Sequence, residues 1–371
     1  RHEPCTRPMD SMPPESANAG RVLQGKRREA ARARLDALWQ RGRTLLGTRY
    51  AILGGAMSWV SERHLVAAIS NAGGFGVLAC GSLQPPQLAA EIAGVRALTD
   101  QPFGVNLIVM HPELDALTRL CLDQGVSHIV FAGGLPSAPV LRTVREGGAK
   151  VLCFAPTPTL AKRLVRNGVD ALIIEGAEAG GHIGPVSTSV LAQEILPQVR
   201  EVPVFVAGGI GRGEAMALYL LMGASGCQLG TRFVCAHESI AHPRFKRAFI
   251  RATARDAVVS TQIDPDLPVI PVRALANAGT QQFMEVQRDV AARYRRQELT
   301  QQEAQLEIEL FWAGALRRAV IEGDVEAGSV MAGQSVGMVT AEQSTAEIID
   351  ELVEQAIDAL AEHDSSGPVS P

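Results

Sequence analysis

The chain has 371 residues, of which 46% are hydrophobic, 20% charged and 4% aromatic, and its net charge is −4. That length can bury a large core with a smaller second unit, and the composition carries no disorder signature. The acidic balance gives no global attraction to nucleic acid or to an anionic membrane, and so few aromatics argue against a stacking platform for single strands.

Six cysteines lie at 5, 80, 121, 153, 227 and 235 with no CxxC pair, and four of them sit inside apolar runs. They read as reduced core residues of a cytoplasmic protein, too dispersed to ligate a metal. No apolar run approaches the roughly 18 residues needed for a membrane span.

Residues 1–20 are rich in Pro, Ser and small polar residues and are expected to form a disordered tail or processing remnant. Residues 1–34 as a whole are expected to stand outside the main fold. From Arg21 to Arg49, nine Lys/Arg face two acids, Glu29 and Asp36, while Leu35, Leu38, Trp39, Leu45 and Leu46 recur at helical spacing. This predicts a solvated helix packed under the main domain, with a transit-type or nucleic-acid-contacting arm as the alternative.

A rhythm then runs from Tyr50 to Val234. Its apolar runs are Tyr50–Ala56, Phe75–Cys80, Phe103–Met110, His128–Ala132, Lys150–Ala155, Ala171–Glu175, Val202–Ala207 and Cys227–Val234. Helix-length segments such as Ser61–Ala72, Pro85–Leu98, Ala138–Gly147 and Gly213–Met222 separate them. Continuously apolar strands are those of a parallel sheet covered on both faces. Gly125-Val-Ser-His-Ile-Val-Phe-Ala-Gly133 repeats as Gly168-Val-Asp-Ala-Leu-Ile-Ile-Glu-Gly176, and more loosely from Gly223, each glycine ending a helix just before a strand. Eight such units predict an α/β fold, a (β/α)₈ TIM barrel over 35–237, with a doubly wound open sheet as the competitor. Residues 238–312, with an extended Ile263–Val272 and a long polar helix over Thr280–Glu309, read as a smaller α-rich cap domain. Residues 313–362 return to the barrel and close it with an amphipathic helix, and 363–371 form a tail.

The stretch Glu175-Gly-Ala-Glu-Ala-Gly-Gly-His182-Ile-Gly184 follows the sixth strand, where α/β proteins place their chemistry. His182 has glycines at 180, 181 and 184 around it, and a neutral imidazole near pH 7 suits proton transfer. His64, His111, His128, His237 and His242 are the alternatives. Glycine pairs recur at Gly54-Gly55, Gly73-Gly74, Gly180-Gly181 and Gly208-Gly209, read here as strand ends where backbone amides can approach a ligand. Gly208-Gly209-Ile-Gly211 and Gln228-Leu229-Gly230-Thr231, after the seventh and eighth strands, are the expected phosphate loops. None of these matches the dinucleotide fingerprint.

Several ordered stretches resemble the FMN-dependent (β/α)₈ group of nitronate monooxygenases (2-nitropropane dioxygenases) and flavoprotein enoyl-acyl-carrier-protein reductases. They are Gly54-Gly-Ala-Met-Ser-Trp-Val60, Phe103-Gly-Val-Asn106, Glu178-Ala-Gly-Gly-His-Ile-Gly184, Ala207-Gly-Gly-Ile210, Gly230-Thr-Arg-Phe233, His237-Glu-Ser-Ile-Ala-His-Pro243 and Gly328-Ser-Val-Met-Ala-Gly-Gln334. The first, the sixth and the last look like the reductase branch. By that resemblance, Gly55, Ala56 and Met57 line the flavin ring and Asn106 bonds its pyrimidine edge. Gly180, Gly181, Gly208, Gly209, Gln228, Leu229, Gly230 and Thr231 lie on the cofactor, mostly at its phosphate. Met331, Gly333 and Gln334 close over the ring, and Glu175, where the group often carries Gln, is a further contact. The resemblance implies an FMN enzyme that takes electrons from NADH or NADPH and reduces a small-molecule or acyl-carrier-protein-bound 2-enoyl thioester, with His182 catalytic. Oxidation of nitronates with O₂ is the alternative, and a quinone reductase or flavin-binding scaffold is a third reading. The cap segment is the surface expected to carry any homodimer contact.

Overall fold

The computed structural model describes residues 14–260, 264 and 270–365. Eight parallel strands form one sheet: β1 (Ile52–Gly54), β2 (Gly76–Ala79), β3 (Phe103–Ile108), β4 (His128–Ala132), β5 (Lys150–Phe154), β6 (Ala171–Glu175), β7 (Val204–Ala207) and β8 (Gly226–Leu229). Their spatial order is β1-β8-β7-β6-β5-β4-β3-β2. The two ends meet where Phe75 N donates to Ile52 O at 2.8 Å and Gly54 N donates to Phe75 O at 2.9 Å. The sheet is therefore a (β/α)₈ barrel. The repeated glycines do what their spacing predicts. Gly125 (φ +64), Gly168 (φ +83) and Gly223 (φ +109) each follow a helix in the left-handed conformation and turn the chain into β4, β6 and β8.

The barrel core includes Ile52, Leu53, Phe75, Phe131 and Phe205, all fully buried. Each such side chain contributes about 1.5–3 kcal/mol of apolar burial. The closing helix Thr345–Ser365 lies so close to helix Gly213–Leu221 that a Cβ on Gly213 would sit 2.0 Å from Leu352 O. Only glycine fits there.

Several expectations are corrected. The run Cys227–Val234 is not one strand: β8 stops at Leu229, Gly230 breaks it, and Thr231–Val234 is a short helix. Gly73-Gly74 does not end a strand; it follows helix Arg63–Asn71 and precedes β2, and Gly73 (φ +90) packs on Arg49 and Tyr50 at the opposite barrel face. The polar helix divides into Ala278–Arg295 and Gln301–Arg317. Gln297 takes a left-handed φ of +62, and Thr300 and Glu303 form a capping box that starts the second helix. Residues 14–20, expected to be disordered, belong to helix Pro14–Leu38; residues 1–13, 366–371 and most of Ile263–Val272 lie outside the described residues. The basic segment is held to the closing helix, where Arg28 pairs with Glu354 and Asp358, and Arg32 with Glu354 at 2.6 Å.

After β8 comes a small unit with its own core of Val272, Phe283, Val290, Ala291, Ala304, Ile308 and Trp312. Phe283 and Trp312 stack with centroids 4.1 Å apart. A three-stranded sheet joins this unit to the barrel: Ala257–Val259 pairs with Val272–Leu275, which pairs antiparallel with Gly181–His182.

Candidate active site

The C-terminal ends of β1, β7 and β8 converge at one mouth. Gly55 N donates to Leu229 O at 2.8 Å, and Met57 N donates to Ser61 Oγ at 2.9 Å, whose hydroxyl donates to Gly55 O at 2.8 Å. A Cβ on Gly55 would touch Leu229 O, Gly230 Cα and Gln228 Cγ, and one on Gly230 would touch Met57 Sδ at 3.4 Å. Beside them Gly208 (φ +95) and Gly209 (φ +73) are consecutive left-handed residues. A Cβ on Gly208 would lie 3.0 Å from Gly176 O and Thr188 Oγ1, and one on Gly209 would lie 2.9 Å from Glu178 Cβ. The predicted phosphate loops thus face the loop that carries His182.

That loop is more ordered than its glycines imply. Gly181–His182 forms a two-residue strand opposite Val272–Arg273, and the His182 side chain is exposed. Arg273 is buried and donates Nε and Nη2 to Ala177 O at 3.0 and 2.8 Å, and Nη1 to Ala257 O at 2.6 Å. Its acceptors are all main-chain carbonyls, and burial pushes its pKa below the usual guanidinium value. Glu178 caps helix Thr188–Ile195, accepting from Thr188 N at 2.8 Å and Thr188 Oγ1 at 2.9 Å. Its own carbonyl accepts from Gln334 N at 2.9 Å.

Residues 329–334 roof the mouth. Leu275 N donates to Val330 O at 2.8 Å, Met331 bridges to Ala274, and Gly333 N donates to Thr231 Oγ1 at 2.9 Å. A Cβ on Gly180 would sit 2.6 Å from Ala332 C and Gly333 N, so loop and roof touch backbone to backbone. Met331 packs on both the barrel core and the cap core.

The residues expected at the site lie on these strand ends, on β3 and β6, on the loop or on the roof, but several of their amides are already engaged. Those of Gly55, Met57, Gly333 and Gln334 bond within the protein, and Asn106, buried within β3, donates Nδ2 to Val130 O at 3.1 Å. Those amides shape the mouth; Asn106 keeps its Oδ1 as an acceptor. Glu175 ends β6, and burial raises its carboxyl from 4.5 to about 7.

Four of the competing histidines have ring contacts of their own. His128 is buried at the start of β4, bonded to Leu45 O and Ser127 Oγ at 2.8 Å each, and burial lowers its pKa. His64 meets Glu62 at 2.9 Å, while His111 and His242 accept from the backbone amides of Glu113 and Arg244. The main-chain amide of His237 donates to Gln343 O, a bond that leaves its ring out. Sequence reasoning missed Glu178 as a cap and Arg273 as a clamp. The signal for Glu178 is a carboxylate ten residues before a Thr that opens a helix; Arg273 left none, because its partners are carbonyls. Surface cavities of about 320 and 640 Å³ lie away from this mouth, the first before β3 and β4 and the second between helix Arg63–Asn71 and residues 237–240.

A family model described as nitronate monooxygenase matches residues 41–355. The (3aS,4S,5R,7aS)-5-hydroxy-7a-methyl-1-oxo-octahydro-1H-indene-4-carboxyl-CoA dehydrogenase of Mycobacterium tuberculosis is 31% identical over 345 residues, covering 85% of this chain and 95% of that protein. Among solved structures, FabK from Thermotoga maritima matches with a TM-score of 0.78 at 35% identity, over 88% of this chain and 98% of FabK. A nitroalkane oxidase from Streptomyces ansochromogenes matches with a TM-score of 0.70 at 26% identity, over 86% of this chain and 99% of that one.

Proposed function

The chain belongs to the nitronate monooxygenase family of oxidoreductases, and we propose that within it the protein is an FMN-dependent enzyme that reduces a 2-enoyl thioester with NADH or NADPH. The observation that carries this reading is the match to FabK, an enoyl reductase, along 98% of its length at 35% identity. The relative from Mycobacterium tuberculosis, named for a carboxyl-CoA substrate, also points to a thioester.

The residues at the mouth fit FMN. The turn at Gly208 and Gly209 leaves successive amides uncovered by side chains, which suits it as a nest for a phosphate. Among the described residues, the N–H groups of Gly208, Gly209 and Gly230 donate to no protein acceptor. Gly208, Gly209, Gly230 and Thr231 would hold the phosphate, with Gly180, Gly181, Gln228 and Leu229 beside them. Gly55, Ala56 and Met57 would lie along the ring, Asn106 Oδ1 would accept from its pyrimidine edge, and Met331, Gly333 and Gln334 would cover it. The chemistry FMN supplies in such a site is hydride exchange between a nicotinamide and the β-carbon of the enoyl group. The chain's part is to position. Arg273 fixes the base of the His182 loop, the roof excludes water, and His182 orients the thioester carbonyl or delivers the α-proton. Glu175, raised to about 7 and so about half protonated near pH 7, would in its protonated form meet the cofactor as a hydrogen-bond donor, as Gln would.

Nitronate oxidation with O₂ is the second reading, favoured by the family model and the nitroalkane oxidase match; there His182 is the base or the orienting group. Anaerobic titration with NADH, NADPH and an alkyl nitronate separates the two. Bleaching of a yellow protein by a nicotinamide is the expected result. Bleaching by the nitronate alone reverses the ranking, and a colourless protein that added FMN does not restore removes both readings. A cytoplasmic location is part of the proposal: Cys80, Cys121, Cys153, Cys227 and Cys235 are free and buried, with thiols pushed up to about 12 by burial. No helix among the described residues is long and apolar enough to cross a membrane.

A further inference from the structure

Helix Pro243–Arg251, which follows β8 and its short helix, is amphipathic in an unusual way. Phe245, Lys246 and Phe249 are buried on its inner face, where Lys246 donates to Ala236 O at 2.7 Å and pairs with Glu342. The outer face carries Arg244, Arg247 and Arg251, spaced three and four residues apart and all exposed, and exposed Arg255 follows in the next turn, Ala254–Asp256. Among the described residues none of these four pairs with a carboxylate. The nearby acids are engaged elsewhere: Asp256 accepts from Thr253 N and Oγ1 at 2.7 and 2.9 Å, Glu342 faces Lys246, and Glu322 pairs with Arg317.

The row also leads to the mouth. A Cβ on Gly337 would lie 3.1 Å from Ala254 N, and Gly337 belongs to the turn Gln334–Met338 that begins at the roof residue Gln334. Two residues past Arg255, the Ala257 carbonyl is held by Arg273, the clamp of the His182 loop. At about 1.5 Å per helical residue, Arg244 and Arg251 stand about 10 Å apart. An extended, convex, uncompensated basic row on a chain of net charge −4 suits a broad acidic surface rather than one small anion, which needs converging donors.

We propose that the outer face of helix Pro243–Arg251 is the docking surface for an acidic acyl carrier protein, whose thioester arm enters the mouth past the Gln334–Met338 turn. The proposal rests on the thioester reading above and assigns that reading a partner and a place.

The test compares the same 2-enoyl chain on acyl carrier protein and on pantetheine, with its coenzyme A thioester as a third arm, using the flavin-loaded full-length protein. The triple variant Arg244→Glu, Arg247→Glu, Arg251→Glu should lose about 10- to 100-fold in kcat/KM with the carrier protein at low salt. It should turn over the pantetheine thioester unchanged, and high salt should shrink the gap. A triple Arg→Lys variant, which keeps the charge, should stay near wild type. Equal losses on both substrates, no loss on either, or a loss confined to a coenzyme A thioester each overturn the docking surface; the last assigns the row to a nucleotide. Affinity for the carrier protein, measured by sedimentation, keeps the two readings apart. If the wild type reduces neither thioester, the enzymatic reading fails, while weakened binding in the Glu triple still supports the surface and unchanged or absent binding refutes it.

Discussion

Replacing Glu175 by Gln tests the electrostatics of the mouth directly. The carboxyl ends β6, and burial raises it from 4.5 to about 7. Each unit is worth about 1.4 kcal/mol, so holding the ionised form costs the folded protein about 3 kcal/mol, and its partial exposure at the mouth brings this to about 2. The sign follows from the raised value. The protonated form is the one the fold prefers, so stability is fully present below 4.5, falls as pH rises through 7, and is flat above that. Glu175→Gln keeps the shape and removes the charge. Urea unfolding at pH 8.5 should show the variant about 2 kcal/mol more stable than wild type, with the gain shrinking to about a quarter of that at pH 5. A difference of the same size at both pH values would mean that Glu175 ionises normally, and the account of a desolvated mouth would be wrong.

Gly208→Ala puts a side chain at φ +95 with its Cβ 3.0 Å from the Gly176 carbonyl. It should cost about 1–3 kcal/mol in thermal unfolding and release flavin, read as free flavin fluorescence after dialysis; retention at wild-type level argues against the nest. Arg273→Met leaves the carbonyls of Ala177 and Ala257 without their donor, a loss of about 2–4 kcal/mol by calorimetry. Hydrogen exchange should quicken across 177–183, and unchanged exchange there refutes the clamp. His182→Ala should keep flavin bound and lower turnover by about 10²-fold. Unchanged turnover removes His182 from the chemistry.

How much could be read in advance divides along a physical line. Apolar runs and left-handed glycines are local signals, so the eight strands and the turns at Gly125, Gly168 and Gly223 were legible. Contacts between distant segments leave no local trace. The two-residue strand Gly181–His182 exists because Val272–Arg273 lies beside it, about ninety positions later, and glycine-rich sequence alone reads as loop. The basic helix is steadied by Glu354 and Asp358 of the closing helix, so composition near Arg28 could not place it. The break between Ala278–Arg295 and Gln301–Arg317 was written in Thr300 and Glu303, a capping box masked by polar residues on both sides. At the site, residue type identified the glycines, but which amides remain available depends on Leu229, Ser61 and Thr231 across the mouth.

The roof over the mouth, residues 329–334, is also a matter of timing. A nascent chain that has emerged through Leu229 already possesses all eight barrel strands. It still lacks the Val272–Leu275 strand beside His182, the Met331 side chain that joins the two cores, and the Gly333 amide that Thr231 awaits. The Gly208-Gly209 turn is therefore finished long before its cover. A polypeptide released early would present an open, wet mouth, and the roughly one hundred residues from Gly230 to Gln334 convert a barrel into a compartment.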